Sequence, residues 1–178
     1  MVEIVSLSEY RERCALQAGY ALWRRCFKED FHGHTRLCDL TPAVLCSLAA
    51  PAETSDPFYN ALILGFLGYG AHAHFEYLDN RTRMQVVDLQ LFLSDQVRFE
   101  IMHRLGWLAG FGAAQYTLFE MVRDFGRVRM ACQAHPPHLA SNHPGFEEYQ
   151  GLVDRDQQVF IRRLFQTALE AFRQNTFG

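Results

Sequence analysis

Between Pro57 and Phe75 the chain runs without one Asp, Glu, Lys or Arg, and residues 95–108 then carry its clearest amphipathic helical pattern. A surface segment does not hold apolar side chains at that density. Residues 57–108 are therefore expected to form the centre of the fold, with the other helices packed around them. The same run raises the question of a membrane span. Its continuous apolar part, residues 61–71, is about half the roughly 20 residues that a spanning helix needs, and Asn60, His72 and His74 would sit in lipid. A buried core helix fits better, and no membrane partner is expected.

With 178 residues, 49% apolar and 21% charged, the chain can bury a core without disulfides or a structural metal, so one globular domain over 1–178 is expected. The 15 Phe, 7 Tyr and 2 Trp supply that core. Net charge is −3, and the basic residues come as scattered pairs such as Arg24-Arg25 and Arg162-Arg163. No basic face forms, which argues against nucleic acid. Among the 17 basic residues Lys28 is the one lysine. The five cysteines (Cys14, Cys26, Cys38, Cys46 and Cys132) are odd in number and form no C-x-x-C pair, as expected of free thiols in a reducing cytosol. Residues 1–6 lack the basic and apolar regions of a signal peptide, which also points to a cytoplasmic protein.

In chain order, Ser6 or Ser8 caps a first helix to about Phe31, with Glu9 placed to close a capping box on Ser6. Thr41-Pro42 starts a short helix that stops by Pro51. Residues 51–57 read as a linker, after which Pro57 opens the central helix. Asp79 caps one long helix through Leu108, with Met84, Val87 and Leu91 in register. The alternation of Val87, Leu89, Leu91 and Leu93 equally suits a strand. The alternative fold is therefore α+β, with a small antiparallel sheet from about 71–78, 83–93 and 127–134. Further helices are expected over 113–132, with Leu118, Met121, Phe125 and Val128 on one face, and over 154–174. The fold class is thus mainly α, a bundle of five to seven helices. Two glycine clusters, at Gly65, Gly68 and Gly70 and at Gly106, Gly110 and Gly112, mark segments expected to cross each other closely.

The sharpest chemical pattern is a pair of Glu-x-x-His motifs, Glu29 with His32 and Glu100 with His103. Residues three apart share a helix face, so each pair can bind one ion, and Glu76 and Glu120 on other helices would complete a di-iron carboxylate site. Against this, Glu and His are common enough here for such motifs to arise by chance. Glu29 and His32 also fall at a helix end. Glu100, flanked by Arg98 and Arg104, reads as an ordinary solvated ion-pair face. A second pattern is the histidine density at His72 and His74, with Glu76 beside them, which suits two ligands of a zinc site. Loop histidines are more often plain surface residues. The segment 68–73 satisfies a loose G-x-G-x-x-A, but it lacks the preceding strand that a dinucleotide fingerprint requires. No G-x-S-x-G elbow and no activated cysteine is present.

Two functions follow. The first is a non-catalytic interaction module that self-associates, with no small-molecule ligand named by the sequence. The second is a metal-binding helical bundle, an oxidoreductase if the two Glu-x-x-His pairs converge, and a metal ion is the one cofactor the residues suggest.

Overall fold

The computed structural model of the chain describes residues 6–70 and 72–178, so the expectations for residues 1–5 and for Ala71 fall outside it. Among the described residues the fold is mainly α, with nine α-helices and one two-stranded antiparallel sheet. The helices exceed the expected five to seven because two expected ones are each interrupted and a short one forms at Phe146–Gln150. No described helix is long and apolar enough to cross a membrane.

Helix α1 (Leu7–Phe27) begins as its sequence predicts. The Glu9 N–H donates to Ser6 Oγ at 3.2 Å, and the Ser6 N–H donates to the Glu9 carboxylate at 2.8 Å. It ends before Phe31 because Lys28 turns into the left-handed region, φ 59°, and its N–H closes onto the Arg24 carbonyl at 3.1 Å. Helix α2 (Pro42–Leu48) starts at Thr41 as expected. Helix α3 (Ala52–Phe66) starts earlier than expected, capped by Pro51, so the supposed linker is helical and Pro57 lies inside it. An exposed proline there removes one backbone hydrogen bond without ending the helix.

Helices α1 and α3 pack along each other. Their closest approach is glycine on glycine: a Cβ on Gly65 would collide with the backbone of Gly19. The expected partner of Gly65, the 106–112 cluster, packs elsewhere, with Gly112 against Cys132. Beside the crossing lies an aromatic core. Tyr20 stacks on Phe31 at 5.4 Å and meets the edge of Phe66 at 5.0 Å, and Trp23 Nε1 donates to the Phe58 carbonyl at 3.0 Å.

Helix α4 (Asn80–Arg104) is the long helix expected from Asp79. The Asp79 carboxylate accepts from the Thr82 N–H at 3.0 Å and the Thr82 hydroxyl at 2.6 Å, which holds it below the usual carboxylate range. The α+β alternative is not what forms, since 83–93 lies within α4 and 127–134 within α6 (Phe125–Ala134). The sheet is instead β1 (Leu108–Gly110) with β2 (His138–Leu139). Helix α5 (Leu118–Arg123) is separated from α6 at Asp124, and α7 is Phe146–Gln150. Helices α8 (Asp154–Arg163) and α9 (Phe165–Phe177) meet at Leu164. Helix α4 contacts α2, α3, α9 and β1, so the segment expected at the centre does occupy it.

Candidate functional site

Two apolar stripes run along α4, and the fold takes one of them. Val86, Leu89, Leu93 and Val97 face the core. Met84, Val87 and Leu91, expected in register with it, face outward and are 70%, 40% and 64% exposed. Three to four residues apart, they form a ridge on successive turns. The alternation that resembled a strand divides the same way on the helix, with Leu89 and Leu93 in and Val87 and Leu91 out.

A groove lies on each side of this ridge, and Leu91 borders both. The first, between α4, α6 and α8, encloses about 590 Å³. From the ridge inward, α4 presents Leu91, then Asp88 and Asp95, then Phe92 and Phe99, and finally Gln96, which is 5% exposed. The Phe92 ring stands edge-on to Phe125 at 5.3 Å, with the Arg129 guanidinium 5.7 Å from the Phe125 centroid. Asp95 ties the groove's end together through Arg162 at 3.2 Å and Arg98 at 3.6 Å. Among the described residues Arg129 and Arg155 have no carboxylate at ion-pair distance, and Asp88 and Asp154 have no cation. The Cys132 thiol borders the groove, and burial pushes its pKa up.

The second groove, between α3, α4 and α9, encloses about 670 Å³ and includes Val87, Ser94 and Arg98. A third space of about 560 Å³ lies between α1, α3 and the loop that follows α3. His72, His74 and Glu76 border it, as does Asn60, whose buried Oδ1 has no partner among the described residues.

The other predicted site residues are dispersed and mostly engaged. Glu29 accepts from the Thr41 hydroxyl at 2.7 Å, which steadies the cap of α2. The exposed His32 accepts through Nδ1 from the His34 N–H at 3.3 Å. Glu120 closes a capping box at the start of α5, accepting from the Thr117 N–H at 2.9 Å. His103 is exposed beside the Phe111 ring, and His74 stands edge-on to Tyr77. Glu100 departs from expectation, since it is buried rather than solvated. Its carboxylate accepts from Arg104 Nε at 2.7 Å, and Arg104 Nη2 donates to the carbonyls of Leu37 and Cys38 at 3.0 Å each. That pair fastens the connection between α1 and α2 to the end of α4. Among the described residues no three His, Cys, Asp or Glu side chains gather as a group that could hold a metal.

Sequence reasoning missed the outward direction of the ridge. A second apolar stripe at helical spacing was visible, but nothing local states which stripe the core takes. No family model, curated protein or solved structure matches this chain.

Proposed function

We propose that this chain is a non-catalytic interaction module that self-associates in the cytosol through the exposed ridge of α4. The ridge carries the reading. Met84, Val87 and Leu91 leave apolar surface in water along the middle of the longest helix, and covering each such side chain is worth up to about 1.5–3 kcal/mol. Contiguous placement distinguishes them from scattered exposed apolar residues.

A second copy is the partner the register supports. In an antiparallel two-fold pairing of α4 helices, Leu91 seats between the partner's Met84 and the partner's Val87, and each copy repeats the contact. The same register brings Arg81 level with the partner's Asp95, an opposite-charge pair made twice. Asp88 meets the partner's Asp88 at the axis, and this like-charge contact keeps the association weak and reversible. All five cysteines are free thiols, which suits the cytosolic setting. The metal-binding reading has less behind it, because Glu29, Glu100 and Glu120 already hold structural hydrogen bonds.

Sedimentation velocity over a concentration series tests the reading. Wild type is expected to shift from monomer to dimer across the micromolar range, while Met84→Asp and Val87→Asp stay monomeric with an unchanged circular dichroism spectrum. A wild-type chain that remains strictly monomeric at about 100 µM would overturn it.

A further inference from the structure

Met84 differs in chemistry from its neighbours on the ridge. Val87 and Leu91 are hydrocarbons, whereas the Met84 side chain ends in a soft, oxidisable thioether, and at 70% exposed it is the most open of the three. The other methionines among the described residues divide into two kinds. Met102 and Met121 are enclosed in the core, each 0% exposed. Met130 on α6 is 71% exposed but borders neither groove beside the ridge. Among the described residues, peroxide therefore meets two open methionine sulfurs, and one of them stands on the ridge.

Oxidation alters that side chain where pairing needs it apolar. Hydrogen peroxide transfers one oxygen atom: the sulfur gives up two electrons, an S–O bond forms, the O–O bond breaks, and water leaves. In the monomer, solvent hydrates the new oxygen. In the antiparallel pairing the same oxygen loses that water and lies against the partner's Leu91, and the two-fold axis repeats the penalty.

We propose that Met84 is a reversible oxidation site that sets how much of the chain is paired. Peroxide releases the pairing, and methionine sulfoxide reductase with a thiol reductant restores it. This rests on the self-association reading. Pairing covers the sulfur, so oxidation acts on the monomer and holds it there.

The test treats the full chain with hydrogen peroxide, quenches it, and adds dithiothreitol, which returns the five free thiols and leaves the sulfoxide in place. Peptide mass spectrometry then reads each methionine, and sedimentation velocity reads the dimerisation constant. Met84 and Met130 should convert, Met102 and Met121 should stay reduced, and dimerisation should weaken about tenfold or more. Met130→Leu should show the same weakening. Met84→Leu, compared with itself before and after peroxide, should show none. Raising the chain concentration before peroxide should slow conversion of Met84 and leave Met130 unaffected, a readout that needs no variant. The proposal is overturned if Met84 converts fully while the dimerisation constant stays put, or if Met84→Leu responds to peroxide as wild type does. It is equally overturned if the dimer oxidises at Met84 as fast as the monomer. A strictly monomeric untreated chain defeats the self-association reading and this proposal together, whereas an untreated dimer indifferent to Met84 oxidation defeats this proposal alone.

Discussion

His143 is a residue whose protonated form the fold disfavours. Its ring packs edge-on to Trp107 at 4.9 Å, Nδ1 accepts from the Gly145 N–H at 3.1 Å, and burial lowers its pKa below the ordinary 6.5. Below that value the unfolded chain takes up the proton more readily than the folded one. The contribution of His143 to stability is therefore fully present above pH 6.5 and is lost as pH falls through its lower folded pKa. Thermal melts from pH 7 downward should show a decline that is shallower in His143→Asn, once each variant is referenced to its own stability at pH 7. Parallel slopes would show that the acid sensitivity lies elsewhere. Glu100 represents a different arrangement, a buried acid hydrogen-bonded to an arginine that also binds two backbone carbonyls. Its sequence neighbours suggested a surface ion pair. Only the packing of the 28–41 connection over the end of α4 makes it an interior one.

At the scale of elements, the α1–α3 crossing brings two helix backbones together glycine on glycine. Gly65→Ala would force a methyl group into the Gly19 backbone, so the helices must separate along their shared length. A loss of about 3 kcal/mol or more is expected in denaturant titrations, beyond the usual range for overpacking because backbone cannot repack as a side chain does. A loss below about 1 kcal/mol would show that the joint is slack. Much of this level was legible in the sequence. Ser6 with Glu9, Thr41 with Pro42, and Asp79 each start the helix expected of them, because a cap is a local transaction between a side chain and the next turn's N–H groups. What was not legible depended on distant partners. Gly65 was recognisable as a close-approach position, but its partner Gly19 lies in a segment without a glycine cluster. Likewise α4 offers two apolar stripes, and the choice of Leu89 and Leu93 over Val87 and Leu91 is made by α2, α3 and α9. The candidate metal residues lie dispersed for a related reason, since shared spacing on separate helices does not bring those helices together.

For the whole molecule, the proposed antiparallel pairing of α4 carries a prediction with an unusual sign. Removing a surface charge, Asp88→Asn, should tighten self-association several-fold by relieving the contact at the two-fold axis, whereas Arg81→Glu should weaken it by opposing the partner's Asp95. Sedimentation equilibrium on the two variants distinguishes this register from any other, because an Asp88 remote from the axis would leave the dimerisation constant unchanged. One property of α1 makes such experiments simpler. Lys28, exposed at the turn that closes the helix, carries the only lysine amine in the chain. With the α-amine blocked, an amine-reactive dye therefore has a single address, and each copy in an assembly bears its reporter at the same corner. The distance between two such corners, read by energy transfer, becomes a direct ruler of how one copy sits against another.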